Sequence, residues 1–128
     1  MKSYFCDGNF NSKNAHLKFN IIVFSFVDEK NIHFIYSPQL DITTYGNTED
    51  EAKEAFEIHT KEFFKYTIEN NTLTEVLSDL GWSFNGEKIE APSITHFMEK
   101  DSLLPTVLES YPVSSHPRSF DIQTRAFA

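Results

Sequence analysis

The segment Tyr45-Gly46-Asn47-Thr48-Glu49-Asp50-Glu51-Ala52 constrains the fold more tightly than any other part of the chain. A strand ends, the backbone turns at a glycine, and a helix starts under its own cap. The Thr48 hydroxyl is placed to accept from the Glu51 amide while the Glu51 carboxylate reaches back to the Thr48 amide, satisfying donors that a helix start leaves orphaned. Acids at positions 49, 50 and 51 lie at the positive end of the helix dipole. Gly46 provides either a positive φ or room for a close backbone approach where helix folds back on sheet. Ala52 opens the helix's apolar stripe.

Upstream of this junction, Leu17, Phe19, Ile21 and Val23 alternate with polar residues, and then Ile22, Phe24 and Phe26 make the second face apolar too. Such a strand is central and covered on both sides. Asp28-Glu29-Lys30-Asn31 is a polar connection to Ile32, Phe34 and Tyr36, which predicts an antiparallel hairpin. Pro38 interrupts the ladder, and Leu40 and Ile42 carry the apolar face into a third strand ending near Tyr45. Downstream, the helix is expected to run to about Glu69, with Ala52, Ala55, Phe56, His59, Phe63 and Tyr66 as its buried stripe. Asn70-Asn71 ends it. Thr72 and Glu75 form a second capping box for a short helix that stops at Gly81, and Asn85-Gly86 predicts a tight hairpin between residues 82–84 and 88–90. Ile94 to Met98 reads as a further strand, and Ser102 to Ser110 as a short helix.

The expected fold is therefore α+β, an antiparallel three- to four-stranded sheet covered by one long helix, with a C-terminal helix-hairpin extension. Residues 1–16 read as a loose arm, 17–92 as the domain and 93–128 as an extension or tail that docks on its own domain or on a neighbour. A chain of 128 residues is enough for one cored domain. Thirteen phenylalanines exceed the needs of one small core, which predicts a homo-oligomer. Nineteen acids against eleven bases oppose binding to a phosphate backbone and suit plain solubility first and a basic partner second. One cysteine, Cys6, allows no internal disulfide, and no apolar run approaches the roughly 20 residues of a membrane span. The expected location is cytoplasmic.

Reactive constellations are sparse. His59 and Glu62 stand three apart in the wrong order for a diiron-type pair, no His-Glu-x-x-His or cysteine pair occurs, and so no metal or cofactor is expected. Ser114-Ser115-His116 joins a hydroxyl and an imidazole only in sequence. A nuclease would need several carboxylates converging on magnesium, whereas most acids here crowd the helix. No catalytic residue is assigned, and a metal-dependent hydrolase is the least favoured reading.

The run Ser37-Pro38-Gln39-Leu40, followed by Gly46-Asn47-Thr48-Glu49-Asp50-Glu51-Ala52, resembles the HicB antitoxin family and its solitary HicB-like relatives over about Phe19 to Asn70. Where that family usually has aspartate before the leucine, this chain has Gln39. The resemblance implies a domain partly like half of an RNase H fold that self-associates and, in a toxin-antitoxin system, caps a basic RNA-cleaving HicA toxin. The DNA-binding segment that commonly follows the family core has no counterpart here, since residues 93–128 hold only Lys100, Arg118 and Arg125 as bases. Glu49, Asp50, Glu54 and Glu57 are the candidate partner-binding acids. Gly46, Thr48, Glu51, Ala52, Thr72 and Gly81 are the candidate structural residues. The alternative is an orphan oligomeric domain with the same fold and no toxin.

Overall fold

The computed structural model describes residues 3–6, 16–85, 88–99 and 103–123. In chain order these form β1 (Ser3–Cys6), β2 (His16–Val27), β3 (His33–Ser37), β4 (Ile42–Gly46), α1 (Glu49–Glu69), α2 (Leu73–Asp79), β5 (Ser83–Asn85), β6 (Lys88–Glu90), α3 (Ile94–Glu99), α4 (Leu103–Ser110) and β7 (Val113–Gln123). The fold is α+β, with β7, β2, β3 and β4 side by side as an antiparallel sheet and α1 packed across it.

The long strand β2 organises this sheet. One edge pairs with β7 from His16↔Gln123 to Phe26↔Val113. The other edge is shared: β3 takes its C-terminal end, Phe24↔Tyr36 to Val27↔His33, and β1 takes its N-terminal end, Phe5↔Lys18 and Cys6↔Leu17. β1 continues the sheet through β6 to β5. Between β3 and β1 a stretch of β2 has no strand partner on this edge among the described residues. Gln39 fills it: its Oε1 accepts from the Ile22 amide at 2.8 Å and its Nε2 donates to the Pro92 carbonyl at 3.0 Å, while the Gln39 carbonyl accepts from Trp82 Nε1 at 2.7 Å. A fully buried side chain with both amide ends bonded does the work of a missing strand.

Both faces of β2 are covered, as the two-faced pattern predicts. Phe19, Ile21 and Val23 pack with Phe56 and Phe64 of α1, with Leu73 and Leu77 of α2 and with Trp82. The Phe19 ring lies 5.0 Å from Phe64, 5.6 Å from Trp82 and 5.4 Å from Phe120, so one side chain links β2, α1, the segment after α2 and β7. Phe24 and Phe26, with Tyr36, pack on the opposite face against Leu104 and Val107 of α4, and Tyr111 stacks on Phe26 at 5.0 Å. Ten of the thirteen phenylalanines lie in or against these two clusters within one chain.

Several expectations need correction. The core does not end near Pro92, because β7 contributes Phe120 to the first cluster and α4 carries most of the cover for the second. Part of the expected N-terminal arm, Ser3–Cys6, is a strand held between β2 and β6, whereas residues 7–15 lie outside the described residues. Ile94–Glu99 is the helix α3 rather than a strand. The buried face of α1 is Ala52, Phe56, Thr60, Phe64, Thr67 and Ile68, which leaves His59 and Tyr66 exposed. Threonines at 60 and 67 complete this face, and a stripe drawn from apolar residues alone is rotated away from it. Leu40 lies in the β3–β4 turn and not in a strand, although it is buried in the first cluster.

Helix ends follow the sequence closely at three places out of four. Asn71, at φ 56°, closes α1 with its amide bonded to Ile68 and the Thr72 amide bonded to Thr67, a Schellman motif with asparagine in the left-handed position. Gly81, at φ 96°, closes α2 the same way through Ser78 and Leu77. Thr48 caps α1 by accepting from Glu51 N at 3.1 Å. The exception is Thr72, which makes no side-chain cap; its hydroxyl turns back to the Thr67 carbonyl at 3.4 Å, recruited by the end of α1.

Candidate functional site

The β4–α1 junction fixes how the acidic helix is presented. An added Cβ on Gly46 would stand 2.6 Å from Glu51 Cβ and 2.8 Å from the Ala52 nitrogen, so the glycine serves close approach. Ala52, fully buried, sits under that contact, and its carbonyl accepts from the buried Thr44 hydroxyl at 3.0 Å, tying the first turn of the helix to β4. The return arm of the expected capping box goes elsewhere: Glu51 Oε1 accepts from Asn47 N at 3.3 Å rather than from the Thr48 amide. The carboxylate still satisfies a donor just ahead of the helix.

The four candidate acids do not share one surface. Glu49, Lys53 and Glu57 follow at intervals of one turn along the side of α1 that overlooks β7. Lys53 Nζ lies 2.9 Å from Glu49 Oε1, and this contact holds the Glu49 carboxyl below its ordinary range, first by hydrogen bonding and then by charge. Arg118 of β7 forms an ion pair with Glu57 and lies over the Phe120 ring, 5.6 Å from its centroid. Asp50 and Glu54 stand on the outward side of the same helix, exposed and outside those pairs. One turn further, Ile58 is 54% exposed.

Beneath the inward pair lies a cavity of about 230 Å³. Val23, Ile35 and Phe56 line it from the core, and Lys53, Glu57, His116 and Arg118 line it with ionisable groups. Its charges are matched in sign by the Glu49–Lys53 and Glu57–Arg118 pairs, so the rim is closer to a polar seal than to a site of one sign. His116 Nε2 is 3.4 Å from the Ser25 hydroxyl across the strand pair, with Ser114 and Ser115 elsewhere along the exposed part of β7.

Among the described residues, no group of three or more His, Cys, Asp or Glu side chains is arranged to hold a metal ion, and no helix is long and apolar enough to cross a membrane. Of the structural candidates, Gly46, Thr48, Glu51 and Ala52 lie together at the β4–α1 junction, Gly81 lies at the end of α2, and Thr72 makes no side-chain cap. Sequence reasoning missed Gln39, whose role depends on a gap between two strands distant in sequence. It missed Arg118 as the partner of Glu57 for the same reason. Compared with known proteins, the chain matches no family model, no curated protein and no solved structure.

Proposed function

We propose that this chain is a non-enzymatic binding module of the HicB-like antitoxin type, which captures and neutralises a small basic HicA-like RNase in the cytoplasm. The observation that carries the reading is the outward face of α1. Asp50 and Glu54 are exposed on successive turns while their neighbours Glu49 and Glu57 are already paired within the chain, and exposed Ile58 follows one turn on. Unpaired carboxylates beside an exposed aliphatic side chain suit a protein surface carrying cations around an apolar contact. The net charge of −8 supports the same choice by steering a basic partner in and repelling nucleic acid.

The partner acids are accordingly narrowed from four to two. Glu57 and Glu49 act as positioning groups that fix α1 over β7. Co-expression with a small basic HicA-like protein from the same genome tests the reading. A complex that survives purification and is lost when Asp50 and Glu54 are both changed to Lys supports it. Recovery of the chain alone, or only in self-association, transfers the fold to the orphan-domain alternative.

A further inference from the structure

Side-chain size falls towards one end of the space between α1 and the sheet. On the face of β2 turned to α1 the residues run from Phe19 through Ile21 and Val23 to Ser25. Their register partners on β7 are Phe120, Arg118, His116 and Ser114, so apolar rings give way to polar groups along the same line. The buried face of α1 follows the trend from Phe64 to Phe56 and then Ala52. At the large end Phe19 meets Phe64 and Phe120 ring to ring. At the small end the residues leave the cavity of about 230 Å³ beneath Glu57 and Arg118, with Val23, Ile35 and Phe56 as its buried floor. We propose that this cavity binds a small uncharged aromatic molecule of one or two rings, which enters beside the Glu57–Arg118 pair and seats its ring on that floor.

Size is the first observation behind the proposal. Protein interiors hold few voids larger than a water molecule, and an apolar cavity of about 150 Å³ already takes up benzene. The space here is larger, and its floor is built from three core side chains that have no partner atoms on the cavity side. A ring seated there restores the dispersion contacts that those side chains lack.

The second observation is the state of charge at the mouth. Lys53 is held by Glu49 at 2.9 Å, and Arg118 is held by Glu57 and by the Phe120 ring. An ionic ligand has to compete with one of these pairs, whereas an uncharged one leaves both intact and packs against the aliphatic stems of Lys53 and Arg118. Phe56 and the Arg118 guanidinium both interact favourably with an aromatic ring, which selects such a guest over an aliphatic one. The cavity lies on the β7 side of α1, away from Asp50 and Glu54, so the proposal stands or falls separately from the antitoxin reading.

The test is titration of the full chain with indole, read by NMR at the methyl groups of Val23 and Ile35. Saturable shifts with a dissociation constant on the order of 1 mM are expected. Benzoate, similar in size but anionic, should bind about tenfold more weakly. Val23→Phe puts a ring of the chain's own into the cavity and should abolish indole binding, read at Ile35. Val23→Leu, a smaller addition, should weaken it by about threefold. Because the space accepts the added methylene, Val23→Leu should also unfold in urea no earlier than the wild type, whereas a filled core would be overpacked by it. An absence of saturable shifts, benzoate binding as tightly as indole, an affinity unchanged by either Val23 variant, or earlier unfolding of Val23→Leu would each overturn the assignment.

Discussion

Gln39 carries more structural weight than any other single polar residue among those described. Changing it to alanine strands the Ile22 amide and the Pro92 carbonyl in the interior, each worth about 1–3 kcal/mol. A loss of roughly 3 kcal/mol in urea unfolding is expected, against about 1 kcal/mol for Thr48→Ala, which removes only an exposed cap. Equal losses for the two variants would contradict this ranking. Tyr36 gives a pH signature: its folded pKa of about 12 lies above the usual value of 10.0, so the unfolded chain releases this proton first. Stability from this group is fully present below about pH 10 and is lost as pH rises through the window from 10 to 12. Denaturation midpoints across that range should fall less steeply in Tyr36→Phe than in the wild type. The cap at Thr48 was legible in sequence because both bonded groups lie within three residues. The bonds of Gln39 reach 17 and 53 residues away, and no local pattern encodes them.

At the scale of elements, β7 is the instructive case. Its sequence, with Pro112, Pro117 and several serines, reads as a tail because polar residues and prolines dominate locally. An edge strand tolerates just this composition. The Ile22 amide points to Gln39 on the far edge of β2, so strand alternation turns the nitrogen of Pro117, the partner of Ile22, to the outer edge of the sheet. Proline there costs no ladder bond and blocks pairing with another chain. Pro117→Val is therefore expected to leave the fold intact and to raise self-association in sedimentation at high micromolar concentration; an unchanged sedimentation coefficient would argue that the edge is protected by something else. The hairpins and helix stops were legible because each is closed by short-range bonds. The helix face of α1 was not, since buried threonines carry no apolar signal. Thr60 is fully buried, and its hydroxyl has no hydrogen-bond partner among the described residues.

For the whole molecule, a sheet covered on both faces changes what a truncation does. Deleting residues 111–128 removes Phe120 from one cluster and Tyr111 and Val113 from the other, and exposes the full edge of β2. The truncated chain should lose cooperative unfolding by circular dichroism, whereas a folded monomer would mean that the remaining residues form a core without β7. The two sides of α1 also present two different sites, the outward acids and the cavity towards β7. Charge complementarity at the first is the central functional claim, and it is an electrostatic claim with a measurable salt dependence. The most direct measurement is the association rate of this chain with a small basic HicA-like RNase, taken at low and at physiological ionic strength for the wild type and for D50K/E54K. The account predicts fast binding that slows as salt rises and a double variant that binds far more slowly with little remaining salt dependence; equal rates for the two proteins, or no binding by the wild type, would contradict it.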